Sequence, residues 1–132
     1  MAPDQVGRLK DILQAATLIA SYVRGVTQAQ FVENLEKQDA VVRRIEIIGE
    51  ATAHLTDETR NAIPELPFRK IRGMRNIVAH DYAHVNTDVV WDVATIHVPQ
   101  MIAVLEPFLA KQIAAPDSLP KAGQIDSDAT DE

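Results

Sequence analysis

Arg72–Asn86 reads RGMRNIVAHDYAHVN and gathers arginine, histidine, tyrosine and asparagine into an otherwise apolar run. Four residues separate Arg75 from His80, Asn76 follows the arginine directly, and Tyr82 lies two past the histidine. The set offers a cation shaped to grip a phosphate, a side chain that moves protons near neutral pH, and a phenol. The spacing alone is a weak signal. Eight Arg and four His in 132 residues give such a pair by chance with a probability of roughly a quarter. In an unbroken helix a five-residue step turns about 140°, so positions 75 and 80 do not share a face. They converge if the helix ends near His80, or if two copies face each other across a dimer axis. The second arrangement also pairs two histidines, one to act as base and one as acid.

Composition sets the frame around this stretch. One domain is expected from 132 residues, with apolar residues plentiful at 46% and aromatics sparse at 5%. That balance favours helices packed through Leu, Ile, Val and Ala over a β-sandwich. Without cysteine neither disulfides nor thiolate metal sites are available, and a reducing compartment is compatible. No run of membrane-spanning length and no signal peptide is expected, so the reading is a cytoplasmic protein without a membrane partner.

The net charge of −6 argues against nucleic-acid binding until it is mapped. Five acids against Lys121 in Pro116–Glu132 make −4, which leaves −2 for the residues before them. Arg60, Arg69, Lys70, Arg72 and Arg75 then fall close together with Glu65 as the one acid among them. A local basic surface survives the global sign; the plainer reading is a solvated helix face.

Periodicity predicts an all-α bundle of about four to six helices, with residues 1–114 as the domain and 115–132 as an acidic disordered tail. Asp4 is expected to cap a first helix over Gln5–Arg24, stopped by Gly25. Thr27 starts a short second helix, and a long third runs from Asn34 or Leu35 to about Leu55. Its apolar stripe is Val41/Val42, Ile45, Ile48, Thr52 and Leu55. Asp39, Arg43, Glu46 and Glu50 share another face, either salt-bridged to solvent or lining a cleft or subunit contact. Gly49 in mid-helix suggests a close crossing. Thr56 caps a fourth helix over Asp57–Ala62. Pro67 opens a fifth that reaches about Ala79, and Asp81–Val85 reads as a break. Asn86 or Thr87 caps a last long helix with Val89/Val90, Val93, Ile96, Met101, Val104/Leu105 and Phe108 inward. Pro99 should kink it, and Pro107 should end or bend it. His80 and His84 lack the pattern of a metal pair, so no metal or cofactor is assigned. His54 and His97 are read as structural or surface residues, and Trp91 as a core residue of the last helix.

RNIVAHDY resembles the Arg-x4-6-His signature of the HEPN superfamily, and with Tyr82 the Arg-x4-His-x-Tyr form of its HepT-like toxin branch. Gln38–Ala51 (QDAVVRRIEIIGEA), Pro64–Phe68, Ile71–Asn76 (IRGMRN) and Asp88–Asp92 (DVVWD) resemble the same family, in order and in register. The likeness covers about Val6 to Leu109; Asp81 and His84 vary the setting without touching the motif. It implies a dimeric helical bundle whose two motifs face a shared cleft. It also implies a metal-independent endoribonuclease, the toxin of a type VII-like toxin–antitoxin pair. The expected partner is an MntA-like nucleotidyltransferase antitoxin that transfers AMP to the motif tyrosine, here Tyr82. Arg75 and His80 are then the catalytic pair, with Arg72 and Asn76 binding the RNA substrate. The products expected are a 2′,3′-cyclic phosphate and a 5′-hydroxyl. The rival reading is a non-catalytic subunit that binds nucleotide for a nucleotidyltransferase, since an Arg–His pair holds a phosphate whether or not it cleaves.

Overall fold

The computed structural model describes residues 1–80 and 86–114, and for Arg75–His80 the backbone alone. Every regular element among them is helical. In order they are α1 (Pro3–Val23), α2 (Gln28–Val32), α3 (Leu35–Ala53), α4 (Asp57–Ala62), α5 (Phe68–His80), α6 (Thr87–Asp92) and α7 (Val98–Ala114). A π turn, Val93–His97, joins α6 to α7 without a break. The expected all-α bundle is the observed architecture. The expected tail lies outside the described residues, as does the Asp81–Val85 break.

α1 carries Leu9, Ile12, Ala16 and Ile19 at three- and four-residue steps, all fully buried. Its start differs from expectation. Ala2 is the N-cap and Pro3 opens the helix, where proline loses no needed donor. Asp4 falls in the first turn and complements the helix dipole instead of capping it. The stop is as expected: Gly25 takes φ 72°, a conformation that costs glycine little, and Val26 N–H closes on the Val23 carbonyl at 3.0 Å.

α1 packs on α3 and α7, and α3 in turn packs on α5. The predicted α3 stripe holds, with Val41, Val42, Ile45, Ile48, Thr52 and Leu55 all buried, and Gly49 is buried beside them. Two local ties are not visible in the periodicity. Gln5 is only 4% exposed; its amide donates to the His54 carbonyl at 3.2 Å and accepts from Thr56 N–H at 2.9 Å. The start of α1 is thereby stitched to the α3–α4 turn. Thr27 and Gln30 form a reciprocal capping box on α2. Phe31, fully buried, meets Trp91 with ring centroids 5.3 Å apart.

The last helix departs from its predicted register. Asn86 caps it as expected, accepting from Asp88 and Val89 N–H. Ile96, expected inward, is 50% exposed, while Ala94, Val98 and Met101 are buried. Position 96 is five residues, about 140°, from position 101 in a regular helix, so the two do not share an inward face. The buried face instead runs through Val90, Ala94, Val98 and Met101, and the winding widens along it at the π turn. That turn sits just before Pro99, which cannot donate to the carbonyl four residues back. Pro107 neither ends nor splits α7, which continues to Ala114. The 28-residue helix Thr87–Ala114, with mean hydropathy 1.4 in its best window, is long and apolar enough to cross a membrane, contrary to expectation. In this fold its Val90, Val93, Val98, Met101, Leu105 and Leu109 face is spent on the core.

Candidate active site on the fifth helix

The approach to α5 is fixed by two prolines and two anchors. Ile63 and Leu66 are 1% and 2% exposed, and Leu66 N–H reaches back to the Ile63 carbonyl at 3.1 Å. The Pro67 carbonyl then accepts from Ile71 N–H at 3.0 Å, so Pro67 caps the helix from one residue outside it. Ile71 and Met74 plug α5 into the bundle. The helix continues through Val78 and Ala79 to His80, so Arg75, Asn76 and His80 ride on one rigid element.

The phase of that element sorts its residues. At about 100° per residue, position 75 falls on the flank of the buried face, close in register to Phe68 and Ile71. Positions 69, 72, 76 and 80 fall within about 80° of one another on the opposite, outward side. Position 80 is about 140° from position 75. Within one copy, then, the helix does not bring the two motif positions onto one face. Tyr82, Asp81 and His84 lie outside the described residues.

Charge on this element has a single sign. Arg69, Lys70 and Arg72 are all exposed, and α5 has no acid. Arg60, close to them along the chain, belongs elsewhere: its Nη1 donates to Asp57 Oδ1 at 2.9 Å within α4. The basic surface is therefore narrower than the sequence suggests and is centred on α5. Gly73 lies among these cations, and among the described residues a Cβ built on it meets no atom of another element within 4 Å. The outward row of Arg69, Arg72, Gly73, Asn76 and His80 does not emerge from the Arg75–His80 spacing. Its signal is a different one, the three- and four-residue steps that run from 69 to 80.

The polar face of α3 proves to be the plainer of its two readings in a single copy. Asp39, Arg43 and Glu50 are exposed, and Arg43 and Glu46 form a loose pair at 3.8 Å. Among the described residues no group of three His, Asp or Glu side chains is placed to hold a metal ion. His54 is exposed with Nδ1 2.8 Å from the Glu50 carbonyl, a local cap on α3.

Comparison with known proteins follows the same elements. The profile of the HepT-like family, described as Ribonuclease HepT-like, matches residues 12–108. A protein of Caldanaerobacter subterraneus subsp. tengcongensis named "Putative RNase TTE0752" is 32% identical over 104 residues, which is 79% of this chain and 93% of that protein. A protein of Thermococcus cleftensis named "Probable ribonuclease HepT" is 32% identical over 93 residues, 70% of this chain and 84% of the relative. No solved structure matches the chain.

Proposed function

The chain belongs to the HepT-like ribonuclease family, and from that premise we propose that it is a metal-independent endoribonuclease, the toxin of a type VII-like toxin–antitoxin pair acting in the cytoplasm. The observation that supports the reading is the continuous α5 helix, in which positions 75 and 80 lie about 140° apart and the exposed charges Arg69, Lys70 and Arg72 are all positive. A site split in this way is completed by a second copy. Two α5 helices across a two-fold axis set Arg75 of one copy against His80 of the other, and bring the two histidines to a common cleft.

RNA supplies its own nucleophile. One histidine takes the proton of the 2′-hydroxyl as that oxygen attacks phosphorus; the P–O5′ bond breaks, and the other histidine protonates the leaving O5′. The products are a 2′,3′-cyclic phosphate and a 5′-hydroxyl. Proton transfer of this kind contributes roughly 10²–10⁴-fold. Arg75 forks onto the phosphoryl oxygens as negative charge builds there, while Asn76 and Arg72 hold the RNA.

Cleavage of RNA in EDTA tests the reading. It should persist in chelator and fall at least a hundredfold in Arg75→Ala and in His80→Ala. Subunit exchange between the two inactive variants should not restore the wild-type rate, since each mixed dimer holds one Arg75–His80 pair but only one of the two histidines the step needs. Activity that vanishes on chelation and returns with Mg²⁺ would refute the scheme. A nucleotide-binding subunit without catalysis would bind and never cut.

Control is proposed to act through Tyr82. A partner nucleotidyltransferase would join its hydroxyl to the α-phosphate of ATP with loss of pyrophosphate, placing a nucleotide and a negative charge beside the motif. The adduct would compete for Arg75 and close the cleft to RNA. Tyr82→Phe should cleave RNA yet escape silencing. After incubation with partner and ATP, mass spectrometry that finds AMP on another residue, or on none, removes this mechanism.

A further inference from the structure

The outward face of α5 carries more than the motif uses. Arg69 and Arg72 are exposed, share a face with positions 76 and 80, and stand about 16 Å and 12 Å from position 80 along the helix. Those distances place them beyond the scissile phosphate. Gly73 lies in the same row between the cations and the motif, and among the described residues no neighbouring element comes within 4 Å of where its side chain would start. A bare backbone at that point lets a bulky strand lie close against the helix. Among the described residues no neighbouring element packs against this glycine. Its cost is real: glycine inside a helix is less stable than alanine. Lys70, equally exposed, is turned about 100° away from Arg69 around the helix and supplies an internal control.

We propose that Arg69, Arg72 and Gly73 form a phosphate track leading away from the cleavage site. The guanidinium groups hold the backbone of single-stranded RNA on one side of the scissile bond, and Gly73 provides the floor on which a nucleotide lies. The track rests on the ribonuclease reading and adds to it a substrate class: a single strand of several nucleotides, favoured over the dinucleotide that spans the cleaved bond. Phosphate contacts of this kind fix register without reading sequence, so the track sets the length requirement and leaves base choice to other contacts.

Three variants separate the track from general electrostatics: Arg69→Gln, Lys70→Gln and Gly73→Ala. The first readout is KM for an oligonucleotide that the wild type cuts, against KM for the dinucleotide at its cleaved bond. The second is binding of a 2′-O-methyl oligonucleotide, which has no nucleophile, followed by fluorescence anisotropy over a range of salt. Arg69→Gln should weaken oligonucleotide binding roughly tenfold and lower the salt slope by about one contact, with a smaller loss on the dinucleotide. Lys70→Gln should lose less than half as much. Gly73→Ala should raise the melting temperature by a few degrees and yet raise KM for the oligonucleotide. Equal losses for Arg69→Gln and Lys70→Gln overturn the track, as does a stabilised Gly73→Ala protein that binds the oligonucleotide at full strength. A wild type that binds the 2′-O-methyl strand with this Arg69 dependence but cuts no RNA leaves the track standing and sinks the ribonuclease reading instead.

Discussion

α3 and α5 each present a row of charged residues to solvent, and the two rows behave differently. On α3 the row mixes signs, and its Arg43 and Glu46 sit 3.8 Å apart with both side chains well exposed. Such a pair offsets part of the row's field and contributes little to stability. On α5 the row is cationic throughout, with no acid on the helix to absorb it. Its field reaches outward and attracts an anion. Segregation of sign tells these helices apart, together with a glycine in the cationic row that no described side chain approaches.

The two helices also differ in how they are held. α3 is gripped from two sides, by α1 and by α5, through Val41, Val42, Ile45, Ile48 and Ala51. Among the described residues α5 is seated by Ile71 and Met74. Truncating one of these should therefore cost fold and site together, and it is the largest effect expected. Ile71→Ala removes a side chain that is 1% exposed and should destabilise the protein by about 2–5 kcal/mol. Urea unfolding measures it. Ile45→Ala on α3, 2% exposed, should cost a similar amount. The contrast comes in hydrogen exchange below the unfolding transition: Ile71→Ala should speed exchange in α5 while α3 stays protected. Equal acceleration in both helices would mean that α5 is not separately anchored, and a cost below about 1 kcal/mol would mean that Ile71 does not seat it.

Much of this contrast is legible in the amino-acid sequence. The stripes of α1 and α3 can be read because Leu, Ile and Val recur at helical steps, and local capping residues such as Asn86 and Thr56 announce their helices. What stays hidden has a physical reason in each case. Gln5 joins residues some fifty positions away, and no window along the chain contains both ends of that bond. Ile96 is five residues from Met101, about 140° around the helix, and only the observed burial shows which of the two apolar positions faces the core. Arg60 looks free among the basic residues that follow it, whereas its partner Asp57 lies on the other side, three positions before it. At the site, the Arg75–His80 offset follows from helix geometry alone, while the outward cationic row needs the observed burial of Ile71 and Met74 to set its phase.

The smallest effect is expected on α3, and it is the one that tests whether its mixed row is idle. The Arg43 and Glu46 side chains are 68% and 38% exposed, so water and salt screen both charges and each side chain loses entropy when the pair forms. A double-mutant cycle through Arg43→Ala and Glu46→Ala should give a coupling of about 0–0.5 kcal/mol, shrinking further at high salt. RNA cleavage by Arg43→Ala should stay within about twofold of the wild type, in contrast with the loss expected at Arg69. A coupling above about 1 kcal/mol would show that this face is not simply solvated. So would a dimer that dissociates at concentrations where the wild type stays assembled. The second result would place the mixed row of α3 in the subunit contact of the proposed dimer.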